Sequence, residues 1–159
     1  MDRAILRELQ HDARQTNRDL AAKAGVSPST SLERVRLLRE QGIITGYHAA
    51  LDLEAAGRPV QALISVRIRP PARAIIEGFH EWVAQLPETI GLFVTSGAYD
   101  FLIHIAVPDV NGVYAFVIDR LTDRREVADV QTTLVYAHVR SHRIEPAGTG
   151  RSRTVRNTR

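Results

Sequence analysis

Thr16-Asn-Arg-Asp19-Leu-Ala-Ala-Lys-Ala-Gly25-Val-Ser27-Pro-Ser-Thr-Ser-Leu32-Glu-Arg-Val-Arg36-Leu-Leu-Arg-Glu-Gln-Gly42 spells two short helices joined by a tight turn. Thr16 is placed to cap the first helix, with Asp19 three residues on in capping-box register. Leu20, Ala21 and Ala24 give that helix an apolar face, and Gly25 supplies the turn. Ser27 then caps the second helix, and Pro28 takes its first position, where a missing N–H costs nothing and the ring's φ is already helical. Leu32, Val35 and Leu38 recur at i, i+3 and i+6, which predicts one buried stripe, and Gly42 ends the helix as a left-handed cap. This is helix-turn-helix wiring, and it implies duplex DNA as a partner. The opposite face carries Ser29, Thr30, Glu33 and Arg34, with Arg36 and Arg39 along its margins. Ser27, Ser29 and Thr30 are the expected groove or phosphate contacts. Glu33 is an expected acceptor from a cytosine amino group, and Arg34 and Arg36 are expected partners of phosphate or guanine.

Upstream, Asp2 to His11 predicts a first helix with Ile5, Leu6 and Leu9 on one face, completing a three-helix core. Downstream, Ile43 to Leu51 reads as extended chain, and Asp52 to Pro59, with Gly57, reads as a linker. From Val60 the period changes to two. Ala62, Ile64, Val66 and Ile68 alternate with Leu63, Ser65, Arg67 and Arg69, which predicts a strand with one buried face, stopped by Pro70-Pro71. Ile75, Ile76, Phe79, Trp82, Val83 and Leu86 follow helical spacing. Strands over Ile90 to Thr95 and Asp100 to Val107, separated by Ser96-Gly-Ala-Tyr99, predict a hairpin. A second amphipathic helix is predicted from Val110, Val113, Tyr114, Val117, Ile118 and Leu121, and a last strand from Val130 to Val139.

The class is therefore α+β: an N-terminal, winged-helix-like helix-turn-helix domain followed by a βαββαβ, ferredoxin-like sheet with both helices on one face. The expected boundaries are 1–50, a linker at 51–59, 60–143 for the second domain, and a disordered basic tail at 144–159. Leu63, Leu102, Ala106, Leu134 and Tyr136 are expected on the other sheet face, which predicts burial against a second copy and hence a homodimer able to assemble further.

The formal charge of +3 is unevenly placed. Residues 1–50 carry eight basic and six acidic groups, residues 51–142 eight and eleven, and residues 143–159 five and one, so affinity for a polyanion belongs to the ends. Lys23 is the one lysine among 21 basic residues, which favours forked contacts to phosphate. The absence of cysteine excludes disulfides, thiolate zinc sites and thiol nucleophiles. No segment approaches ~18 consecutive apolar residues, and a cytoplasmic protein is expected.

Asp12-Ala-Arg14, Asp19-Leu-Ala-Ala22, Gly25-Val-Ser-Pro28, Leu32-Glu-Arg-Val35, Gly42-Ile-Ile-Thr-Gly-Tyr47 and Thr95-Ser-Gly-Ala-Tyr-Asp100 with Phe101-Leu-Ile-His-Ile105 occur in an order that resembles the Lrp/AsnC (feast/famine) transcription regulators. The resemblance runs from Asp2 to about Arg143. It implies a sequence-specific DNA-binding regulator modulated by a small effector, usually an amino acid, with a second domain that dimerises and binds it. It also implies that the hairpin Ser96, Gly97, Ala98, Tyr99 and Asp100 lines the effector pocket. Gly97 would let backbone N–H groups approach a carboxylate, and the Asp100 carboxylate would pair with an α-ammonium. Thr132 and Thr133 would add hydroxyl contacts from a neighbouring subunit. Leu37 departs from the basic residue common in such regulators, and the basic tail is longer than the resemblance explains.

Two other classes stay open from sequence: a dimeric ferredoxin-like enzyme, and a metabolite-sensing scaffold whose helices bind protein. The histidines argue against the first. His104 lies opposite Phe101, Ile103 and Ile105 on its strand, and His138 and His142, four apart on a strand, would stand about 13 Å apart, too far to share a metal. No phosphate loop or nucleophile elbow appears, so neither catalytic residues nor a metal nor a cofactor is expected.

Overall fold

A computed structural model describes residues 1–139, 141 and 143–145; the expected basic tail lies, from residue 146 on, outside them, as does His142. Met1–Ala49, joined by the described residues from Val139 on, form one unit, and Ala50–His138 form a second.

The first unit contains α1 (Asp2–His11), α2 (Asn17–Ala24) and α3 (Pro28–Glu40). Its core is Ile5, Leu20 and Leu38, with Leu6, Leu9, Ala24, Val35 and Ile44 packed against it. The caps form where the sequence puts them. Thr16 Oγ1 accepts from the Asp19 amide at 3.2 Å and donates to the Asp19 carboxylate at 2.6 Å. Gly25 closes α2 at φ 69°, and the Val26 amide reaches back to the Ala21 carbonyl at 3.0 Å. Ser27 Oγ accepts from the Thr30 amide at 3.1 Å. The Asn17 side-chain amide donates to the Pro28 carbonyl at 2.7 Å, tying the start of α2 to the first turn of α3.

The buried stripe of α3 is rotated by one residue from the expected one. Leu32 is 63% exposed, whereas Ser31 is fully buried and Leu38 nearly so. Ser31, Val35 and Leu38 at i, i+4 and i+7 are as good a helical stripe as i, i+3 and i+6. Hydrophobicity alone selects leucine over serine, but α2 and α3, separated by three residues, each place a small side chain, Ala21 and Ser31, in the buried layer, as close helix approach requires. Chain 43–51 then runs on without forming a strand. The segment expected as linker is a closed turn: the Asp52 side chain accepts from the Ala55 amide at 2.9 Å, and Gly57 takes φ 75°.

The second unit is β1 (Val60–Ile68), α4 (Arg73–Ala84), β2 (Thr89–Val94), β3 (Phe101–Val107), α5 (Val110–Ala115) and β4 (Val127–Val135). The strand order is β2-β3-β1-β4, all neighbours antiparallel, as the ferredoxin-like reading requires. Ala62, Ile64, Val66 and Ile68 of β1 and Phe101, Ile103, Ile105 and Val107 of β3 share one face with Phe79 and Val83 of α4 and Val113 of α5. Together with Phe116 and Leu121 they form the core.

Two elements differ from expectation. α5 passes into a π-helical turn, Phe116–Leu121, so the buried residues are Val113, Phe116 and Leu121, while Tyr114 and Ile118, expected in the stripe, are exposed. A wider turn shifts the inward face by one position, which a 3.6-residue period misses. β4 spans Val127–Val135 and not Val130 to Val139. Its register pairs Leu134 with Ala62, so Leu134 belongs to the helix-covered side of the sheet, at its edge, and not to the outer face. Tyr136 lies beyond the strand.

Candidate functional site

α3 divides its polar residues into two groups. At about 100° per residue, Ser29, Leu32, Glu33 and Arg36 fall within about 100° of one another, opposite the Ser31–Val35–Leu38 stripe. Arg34 lies outside this sector. Its Nε donates to Asp2 Oδ1 at 2.8 Å, and its second nitrogen donates to Asp2 Oδ2, a forked pair that fastens α3 to the start of α1. The Arg34 hydrogen bond holds the Asp2 carboxyl below its ordinary range, and Asp2 in turn raises Arg34. Arg36 does lie in the sector, but it donates to Glu33 at 2.7 and 3.2 Å and to Glu40 at 2.6 Å. The hydrogen bond from Arg36 lowers the Glu33 pKa, and Glu33 first and Glu40 next raise that of Arg36. Ser27 and Ser29 hydroxyls are 3.0 Å apart, and Ser27 and Thr30 hydroxyls 2.7 Å. Thus Ser27, Ser29 and Thr30 form one hydroxyl cluster at the helix start. Leu37 is half-buried on the flank. An open groove of about 1100 Å³ runs between α3 and residues 44–48, with Leu32, Val35, Ile44 and Tyr47 on its walls.

In the second unit the β2–β3 hairpin is pinned to β1. Thr95 and Asp100 close it through a 2.9 Å backbone bond, Thr95 Oγ1 donates to the Tyr99 carbonyl at 2.8 Å, and Gly97 adopts φ 127°, where a side chain would be strained. Asp100 Oδ2 accepts from the Ile68 amide at 2.7 Å and lies 3.9 Å from the Arg69 guanidinium. Arg67 donates to the Ala98 carbonyl at 2.8 Å, and its guanidinium lies 5.3 Å from the Tyr99 ring centroid. Ser96, Gly97 and Ala98 are exposed, and Tyr99 and Asp100 are half-buried. The residues expected from the neighbouring subunit, Thr132 and Thr133, are exposed on β4 and point to opposite sheet faces, by their pairing with Ile64 and Leu63. A cavity of about 400 Å³ opens at the end of β1, lined by Arg69, Ile75, Phe79, Arg124 and Glu126 among others. No hairpin residue lines it.

The outer sheet face carries Leu63, Leu102 and Ala106 as expected. His104 also lies there, nearly buried, with Nε2 3.0 Å from Gln61 Oε1 and the His138 ring edge-on at 5.0 Å. Among the described residues no group of three or more His, Cys, Asp or Glu could hold a metal. No described helix is long and apolar enough to cross a membrane.

Sequence reasoning missed Asp2 as the partner of Arg34, Leu32 as an outward residue, and Arg67 as the clamp on the hairpin. Only the last carried a signal. Arg67 stands at an outward position of a strand otherwise free of charge before Arg69.

Residues 1–45 match the winged helix-turn-helix DNA-binding family, and residues 61–144 match the Lrp/AsnC ligand binding domain. The HTH-type transcriptional regulator AldR of Mycobacterium tuberculosis is 37% identical over 140 residues, spanning 88% of this chain and 78% of that protein. The leucine-responsive regulatory protein of Rhizobium meliloti is 36% identical over 88% of this chain and 90% of its own. Among solved structures, the regulator NMB0573 of Neisseria meningitidis, in complex with L-Met, superposes with a TM-score of 0.81 at 34% identity over 88% of this chain and 90% of its own. A helix-turn-helix unit capped at Thr16 and Ser27, followed by a β2-β3-β1-β4 sheet with a glycine-tipped hairpin, thus makes this chain a member of the Lrp/AsnC family of transcriptional regulators.

Proposed function

We propose that the chain acts as a homodimer that reads duplex DNA with α3 and answers to an amino acid bound beside the β2–β3 hairpin. The observation that carries the reading is the outward sector of α3, held by the Ser27 cap and the Asn17–Pro28 bond, with a hydroxyl cluster at its start. In this reading residues 1–50 bind DNA and residues 60–143 sense and assemble. Ser27, Ser29 and Thr30 meet phosphates or base edges, and Glu33 and Arg36 exchange their mutual ion pair for DNA contacts. Arg34 keeps Asp2 and positions the helix. Leu63 and Leu102 on the outer sheet face support pairing of two copies. Paired α3 helices would then meet half-sites about 34–36 Å apart or a multiple of it. In this reading the protein works in the cytoplasm as a regulator and not as an enzyme. An amino acid is supported by the L-Met complex of the Neisseria relative and by the exposed backbone of Ser96 to Ala98.

Electrophoretic retardation of duplexes selected by the protein from a randomised pool tests the DNA half. Binding that falls steeply with salt is expected, and no retardation at 50 mM salt refutes it. A thermal-shift screen of the twenty amino acids tests the other half, since a ligand at ~100 times its Kd adds about 2.7 kcal/mol to the unit that binds it.

A further inference from the structure

We propose that Leu32 is a specificity-determining residue that reads the 5-methyl group of thymine in the major groove. Leu32 stands 63% exposed in the outward sector of α3, one turn beyond Ser29 and beside Glu33. Three polar residues of the outward sector already have partners within the protein: Ser29 has Ser27, Glu33 has Arg36, and Arg36 has Glu33 and Glu40, while Arg34, outside the sector, has Asp2. Reading a base edge with Glu33 or Arg36 breaks an existing ion pair, whereas the two methyl groups of Leu32 give up only water. For a branched apolar side chain on a groove-facing helix, the apolar complement on the edges of the base pairs is the thymine 5-methyl group, which no other base carries. Val35, Ile44 and Tyr47 line the groove beside Leu32 and give it an apolar flank. A leucine also costs little side-chain entropy to immobilise compared with arginine.

The inference rests on the reading that α3 binds DNA, and the test separates the two. The probe is the duplex that the full chain selects from a randomised pool, in which each thymine is replaced in turn by deoxyuridine, removing one methyl and no hydrogen bond. For the unmodified chain, one deoxyuridine position per half-site is expected to weaken binding about fourfold, the share of one buried methyl. In Leu32→Ala that position is expected to lose its effect while all other positions keep theirs, and the salt dependence of binding is expected not to change. Circular dichroism and sedimentation of Leu32→Ala should match the parent, as its exposure requires. An unchanged deoxyuridine profile in Leu32→Ala overturns the assignment and leaves DNA binding by α3 standing. A changed oligomeric state in Leu32→Ala overturns it in favour of a protein contact, and failure of the unmodified chain to select or bind any duplex overturns both readings.

Discussion

Replacing Leu38 and Leu32 separately by alanine gives the sharpest test of how the first unit is built, because a stripe of residues 32, 35 and 38 makes them equivalent and the structure does not. Leu38 is 2% exposed in a cluster with Ile5 and Leu20, and Leu32 is 63% exposed. Truncating a buried leucine removes its transfer free energy and leaves a cavity, together about 2–5 kcal/mol. A unit of roughly fifty residues holds on the order of 3–7 kcal/mol in total, so Leu38→Ala is expected to leave it close to its unfolding midpoint. Leu32→Ala is expected to stay within about 0.5 kcal/mol of the parent, since alanine has the higher helix propensity and little packing is lost. Amide hydrogen exchange in the intact chain is the suitable assay, because it reports each unit by itself. The slowest amides of α1, α2 and α3 should exchange from about thirtyfold to several thousandfold faster in Leu38→Ala. They should be nearly unchanged in Leu32→Ala, and those of β1 and β3 should be unaffected in both. Comparable acceleration in the two variants would refute the Ser31–Val35–Leu38 stripe, and with it the outward placement of Leu32.

Gly25→Ala puts a β-carbon on a residue at φ 69° with no atom nearby to clash, so its cost is conformational alone, about 1–2 kcal/mol; Gly25→Asn should cost less, and denaturant titration ranks the two. The depressed Asp2 pKa makes the first unit's stability fall in acid. Its Arg34 pair is present in full above the unfolded carboxylate value of about 3.9 and is lost as pH drops through the lower folded value, so Asp2→Asn should flatten that part of the pH profile and leave pH 5–8 unchanged in shape. Asp100→Ala removes the acceptor of the Ile68 amide, and a charged hydrogen bond of this kind is worth about 1.5–3 kcal/mol, so a lower melting temperature of the second unit is expected even without ligand. Calorimetry with the amino acid found in the thermal-shift screen should then show weakened binding in Asp100→Ala, with DNA retardation intact.

The element order and both helix caps were legible in the chain because they depend on neighbours in sequence: a hydroxyl three residues before an amide, a proline at a first turn, a glycine where φ must be positive. The split between helical and two-residue periods placed the βαββαβ unit for the same reason. The residues expected to form the site, Ser27 to Arg36 and Ser96 to Asp100, could be placed on α3 and the hairpin from sequence, but not the partners they make within the fold. Local spacing could not say that Arg34 and Asp2, 32 residues apart, form a forked pair, or that Arg67 reaches the Ala98 carbonyl across the strands.

By itself the sequence determined that there is a helix-turn-helix, where it turns, and that an alternating sheet with two helices follows. Only the tertiary structure decided which way α3 faces, because two stripes that share Val35 and Leu38 satisfy the same helical period. The choice between Ser31 and Leu32 falls to how closely another helix approaches. In the fold the serine is buried, the leucine faces outward and Arg34 pairs with Asp2.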